Sequence, residues 1–90
     1  MASDRMSEEP VLNGVYRHFK GNLYKVFCVA EQTETNEPYV IYKALYGDRR
    51  LYARPLDMFM SPVDKGKYPD SDQEKRFEYL GKDKEGIGLL

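Results

Sequence analysis

Leu23-Tyr24-Lys25-Val26-Phe27-Cys28-Val29-Ala30-Glu31 and Tyr39-Val40-Ile41-Tyr42-Lys43-Ala44-Leu45-Tyr46 settle whether this chain is built from strands or helices. Both runs are rich in β-branched and aromatic residues, and the polar Thr33-Glu34-Thr35-Asn36-Glu37-Pro38 between them is turn sequence. Two such runs joined by a short polar loop make an antiparallel hairpin. Side chains alternate between the faces of a strand, so the charges place the core. Lys25 and Glu31 fall on odd positions, which puts Tyr24, Val26, Cys28 and Ala30 inside; Lys43 does the same for Val40, Tyr42, Ala44 and Tyr46.

Working outward, turn signals at Lys20-Gly21-Asn22 and Gly47-Asp48 flank the hairpin and separate it from further short aromatic runs. The spacing predicts strands at 14–19, 23–31, 39–46, 51–55 and 76–80, an all-β five-stranded antiparallel meander. If Gly47-Asp48 is a two-residue turn, with glycine supplying the positive φ, Lys43 stands opposite Tyr52 and Ile41 opposite Arg54, and Leu51 and Ala53 go to the core; a four-residue loop keeps these faces and a three-residue loop inverts them. Leu56-Asp57-Met58-Phe59, between Pro55 and Pro62, has room for a single turn and is expected as a 3₁₀ turn. Residues 64–75 read as a long polar loop. Residues 1–10 read as a mobile arm, 11–81 as one domain and 82–90 as a frayed tail.

Ninety residues support one thin core, which eight Tyr and four Phe must fill. Fourteen basic and fifteen acidic residues leave a net charge of −1, which argues against a dedicated nucleic-acid binder. The balance is uneven along the chain: residues 11–56 hold seven bases against four acids, and the two ends are acidic. The lone Cys28, in an apolar run, reads as a reduced core thiol of a cytoplasmic protein. No apolar run approaches the length of a membrane span.

This register leaves Phe27, Val29, Tyr39, Ile41 and Tyr52 outward beside Lys25, Lys43 and Arg54, too apolar a face for bare solvent. Either the final strand covers it through Phe77, Tyr79 and Leu80, closing a barrel, or a partner does. As a partner surface, its anchors would be Phe27, Tyr39, Ile41 and Tyr52, with Lys43 and Arg54 giving polarity and Tyr16 and His18 as possible additions. A protein or peptide suits such a surface better than nucleic acid, although Arg49, Arg50 and Arg54 beside Tyr46 and Tyr52 would also suit unpaired bases.

Catalysis finds little footing. His18 is the single histidine, without an acid of predictable proximity; Gly-rich phosphate loops are absent, and a metal site needs several converging ligands. The acidic run Asp64, Asp70, Asp72 and Glu74 reads as hydrated charge. The expectation is a non-enzyme with no cofactor and no metal, whose oligomeric state the sequence leaves open.

Gly14-Val15-Tyr16-Arg17-His18-Phe19-Lys20-Gly21-Asn22-Leu23-Tyr24-Lys25-Val26 resembles the start of the bacterial domain-of-unknown-function 1653 family. The likeness continues through Thr33-Glu34-Thr35 with Glu37, Val40-Ile41-Tyr42, Leu45-Tyr46-Gly47-Asp48, Arg54-Pro55-Leu56-Asp57-Met58-Phe59 and Arg76-Phe77-Glu78-Tyr79. Lys65 to Lys75 is longer than in many members. The resemblance implies a small SH3-like β barrel and no established activity.

Overall fold

The computed structural model describes residues 9–83. Five strands, β1 (Gly14–His18), β2 (Leu23–Glu31), β3 (Pro38–Ala44), β4 (Leu51–Pro55) and β5 (Phe77–Lys82), form one antiparallel sheet in the order β4-β3-β2-β1-β5. A single helical turn, α1 (Leu56–Phe59), follows β4. The all-β, five-stranded expectation holds, and β5 runs two residues past its expected end. The turn at 56–59 is α rather than 3₁₀: Met60 N–H reaches the Leu56 carbonyl at 3.0 Å, four residues back. Only its exit tightens, where Ser61 N–H bonds the Met58 carbonyl.

The sheet wraps one aromatic cluster. Phe59 from α1 stacks on Phe77 from β5 with ring centroids 4.1 Å apart, and Tyr16 and Tyr42 set their edges against Phe59 at 5.5 and 5.2 Å. Val26 and Val40 are fully buried beside them. Rings at these separations fill space that aliphatic side chains of so short a chain could not. Gly14 keeps β1 close to this layer, since a Cβ there would sit 2.8 Å from the Val11 carbonyl oxygen and 2.9 Å from the Tyr79 ring.

Two local features overturn part of the expected register. In the β2–β3 pair, Val26 stands opposite Tyr42 and Cys28 opposite Ile41, so Phe27 is an extra residue on β2. Such a bulge reverses the alternation beyond it. Cys28 and Ala30 therefore leave the core and are exposed, correcting the buried thiol, while Val29 crosses to the side of Val40. The second feature is the β3–β4 connection. Gly47 supplies a positive φ of 57°, as expected, but Arg49 follows with φ 56°, and Ala44 N–H bonds the Arg50 carbonyl. The resulting odd loop pairs Tyr42 with Tyr52 and Val40 with Arg54. Leu51 and Ala53 consequently face outward, Leu51 at 56% exposed, and Tyr46 also stays exposed. The expected buried set keeps Val26, Val40 and Ala44 and loses Cys28 and Leu51.

A third correction concerns the cover of the outer face. β5 pairs with β1 at the sheet's end rather than lying across Phe27 and Ile41. It carries its own bulge at Leu80, between the Val15–Gly81 and Tyr16–Tyr79 pairs, and Leu80 is exposed. Near its end, Asp83 places its carboxylate 3.1 Å from Lys25 Nζ, with both side chains buried. Cross-strand neighbours Lys25 and Lys43 stay on the outer face but are buried there, although both were expected in solvent.

Candidate anion-binding cleft

The new register divides the expected partner surface between two faces. Phe27, Tyr39, Ile41 and Lys43 belong to the outer side, with Phe27 beneath the Lys25 ammonium at 5.7 Å and Lys43 buried. Tyr52 and Arg54 lie on the aromatic face with Tyr42 and Val40, the face of the core cluster that holds Tyr16, and there the Arg54 charge acts on His18. Tyr16 is buried, its hydroxyl accepting the Val11 N–H at 2.8 Å, and burial pushes its ionisation up. It serves the core rather than a surface.

At one end of the aromatic face lies a cleft of about 310 Å³, into which four separate segments deliver cations. Arg54 comes from β4. Its Nε donates to the Tyr42 hydroxyl at 2.9 Å and its guanidinium lies 5.5 Å from the Phe77 ring centroid, so both an edge and a face of the group are fixed. Arg76 precedes β5 and is stitched at the backbone: its N–H bonds the Ser61 carbonyl and its carbonyl accepts from Phe19. Its Nε donates to Ser61 Oγ at 3.1 Å. The 64–68 loop closes the cleft because the Asp64 carbonyl takes the N–H groups of Lys67 and Tyr68, while its carboxylate takes that of Gly66. Tyr68 then meets Phe19 at 4.8 Å, and the ammonium groups of Lys20 and Lys67 lie 5.4 and 5.8 Å from the Tyr68 ring centroid.

His18 stands at the centre, at the end of β1. Its ring stacks on Phe19 at 4.6 Å and meets Phe77 edge-on at 4.9 Å. Burial, followed by the charges of Arg54, Arg76 and Lys20, lowers its pKa from 6.5 to about 4. The ring is therefore neutral at pH 7. Its Nδ1 accepts the Lys20 N–H at 3.1 Å, which leaves the ring proton on Nε2.

The ion pairs described are Arg17–Glu78 and Lys25–Asp83, and none of Lys20, Arg54, Lys67 or Arg76 takes part in them. Asp64, the one carboxylate lining the cleft, forms no ion pair with any of the four. Such an arrangement can hold an anion: several donors converge, and among the described residues no ion pair has to be broken to free them. Next to the cleft runs a tyrosine cluster. Tyr24 and Tyr46 share a hydroxyl hydrogen bond at 2.8 Å, Tyr42 and Tyr52 are 5.8 Å apart, and burial raises the Tyr24 pKa.

Sequence reasoning found His18, Tyr52 and Arg54 but missed Phe19, Lys20, Lys67, Tyr68 and Arg76. Their signal was present and diluted. Lys67 and Arg76 lie in the acidic C-terminal part, where net charge hides them, and the 64–75 loop read as hydrated polar sequence. Among the described residues no three His, Cys, Asp or Glu side chains gather as metal ligands, and no helix is long and apolar enough to cross a membrane.

Residues 14–79 match the family described as protein of unknown function, DUF1653. No curated protein matches the chain. Among solved structures, the crystal structure of a DUF1653 protein from Bordetella bronchiseptica is similar at 33% sequence identity with a TM-score of 0.67, over 81% of this chain and 91% of that one. By this match over most of its strands, the chain belongs to the DUF1653 family.

Proposed function

We propose that this domain is a binding module, without catalysis of its own, that recognises a protein or peptide bearing anionic groups through the cleft around His18, Arg54 and Arg76. The observation carrying this reading is the convergence of four cations from four segments onto one aromatic-walled cleft, none of them in a described ion pair. Fixed Arg and exposed Tyr are the side chains that dominate binding energy at protein surfaces. An apolar groove of about 470 Å³ beside α1 adds to it. Ser61 lines that groove while its Oγ holds Arg76, so an extended peptide could place an anionic group in the cleft and apolar side chains against Leu56 and Met60. The curled five-stranded sheet suits the SH3-like description, and the exposed, unpaired Cys28 suits a reducing compartment such as the cytoplasm.

Nucleic acid is the second reading, favoured by cations interleaved with Phe19, Tyr52 and Tyr68. Against it stands the neighbouring hollow. It shares Phe19 with the cleft but is lined by Asp70, Asp72 and the Arg17–Glu78 ion pair, which interrupts a cationic track for a backbone. The test is a pull-down from native extract with the parent domain, Arg54→Gln, Arg76→Gln and, on the outer face, Leu51→Gln. The reading expects a protein partner lost in both cleft variants and kept by Leu51→Gln. Retention of every partner by both cleft variants would sink it.

A further inference from the structure

We infer that the cleft contains a subsite for a single phosphate monoester, held by the guanidinium groups of Arg54 and Arg76 and the Nε2–H of His18, with Lys20 and Lys67 at its rim. The inference rests on the binding-module reading and specifies its ligand. A monoester presents a compact dianion with three acceptor oxygens, and the cleft presents matching donors of two kinds. Arg54 and Arg76 each spend Nε on a neutral oxygen, of Tyr42 and of Ser61, so neither guanidinium is neutralised and each is fixed in orientation. The terminal amino groups of both remain for bidentate contact with an oxyanion, the geometry in which Arg exceeds Lys.

His18 adds a donor without adding charge. Its Nδ1 is occupied by the Lys20 N–H, so what it can offer a ligand is the Nε2 proton. The groups around it are Arg54 from β4, Arg76 and Phe77 at the start of β5, Lys20 and Phe19 in the following turn, Tyr24 from β2, and Lys67, Asp64 and Tyr68 from the loop. Cations dominate this set, and a bound dianion would offset their repulsion of an imidazolium. Gathering in one small cleft, with Arg54, Arg76 and Lys20 all acting on His18, favours one phosphate. A strand of nucleic acid would need the cations spread along a path, and Asp70, Asp72 and the already paired Arg17 and Glu78 occupy the continuation beyond Phe19.

A phosphorylated side chain and a small phosphorylated metabolite share this chemistry, and one experiment separates them. The chain has a single histidine, so its imidazole NMR signals are unambiguous through a pH titration. Inorganic phosphate is expected to shift the His18 resonances saturably and to raise the His18 pKa by about one unit at constant ionic strength. Arg54→Gln and Arg76→Gln should each weaken phosphate binding by about tenfold or more, and Leu51→Gln should leave it unchanged. A phosphoserine peptide binding more tightly than its unphosphorylated form and than a nucleoside monophosphate identifies a protein ligand; the reverse order identifies a metabolite. No saturable response of His18 to phosphate or to either phosphorylated probe overturns the subsite, and the pull-down still judges the module reading by itself. Tighter binding of an oligonucleotide, with steep salt dependence, overturns it in favour of a nucleic-acid surface.

Discussion

Two sets of cations in this small domain are treated in opposite ways. On the outer face, Lys25 is buried and its ammonium meets the buried Asp83 carboxylate at 3.1 Å. In the cleft, Arg54 and Arg76 are anchored through Nε by neutral hydroxyls, and the described ion pairs leave both out. A buried charge with its own counter-ion is committed to the fold, because removing either partner strands the other away from water. A fixed charge without one is stabilised by whatever anion arrives from outside. The contrast separates structural charge from charge available for binding, which composition alone cannot do.

The largest expected effect breaks the first half of that contrast. Lys25→Met should cost about 3 to 5 kcal/mol, since the Asp83 carboxylate is left buried without its cation, and combining it with Asp83→Leu should recover most of the loss. Urea denaturation of the three variants checks this. Similar costs for the single and double variants would show that packing, not charge, holds that corner. Next comes Arg54→Gln, which loses the bond to Tyr42 and the contact with Phe77 and should cost about 1 to 2 kcal/mol. Its cost stays below that of Lys25→Met because Arg54 is in no described ion pair and no carboxylate loses its counter-ion.

A pH effect sharpens the second half. His18 has a folded pKa of about 4 against about 6.5 unfolded, so in that interval the unfolded chain binds the proton and the folded one does not. Stability contributed by neutral His18 is therefore full above pH 6.5 and is lost as pH falls towards 4. Denaturation at pH 7 and pH 5 should show the loss in the parent, and a smaller one in Arg76→Gln, where a nearby positive charge is gone. An equal slope in both would remove Arg76 from the neighbourhood of His18. The smallest effect falls at Cys28, which the Phe27 bulge turns outward. Cys28→Ser should alter stability by no more than about 0.5 kcal/mol, and native Cys28 should react with a thiol reagent nearly as fast as in denaturant. Strong native protection would contradict the bulge.

What the sequence disclosed follows from which signals are local. The strands were legible because aromatic and β-branched runs and the turns at Gly21 and Gly47 are each written within a few residues. The faces were legible only as far as alternation stays regular. One extra residue at Phe27 and one left-handed residue at Arg49 each reverse the parity of everything beyond them, and neither has a composition that distinguishes it from its neighbours. The expected surface accordingly split, with Arg54 and Tyr52 passing to the side of His18 while Phe27, Tyr39, Ile41 and Lys43 stayed together. Arg76 reaches the cleft by backbone bonds with Ser61 and Phe19, contacts between segments far apart in sequence, and Lys67 rides on the turn that Asp64 closes, which those contacts bring to the same end of the sheet. The turn at 64–68 is local, but no pattern within it or around Arg76 says that the two meet His18.

The central claim, that the cleft's cations await an external anion, is tested most directly by unfolding free energy against phosphate concentration at constant ionic strength, for the parent and for Arg54→Gln combined with Arg76→Gln. A ligand that binds only the folded state stabilises it by about 2.7 kcal/mol at 100 times its Kd. The account predicts a parent whose stability climbs with the logarithm of phosphate concentration and a double variant whose stability stays level. Parallel curves for the two proteins, whether rising or flat, would contradict it.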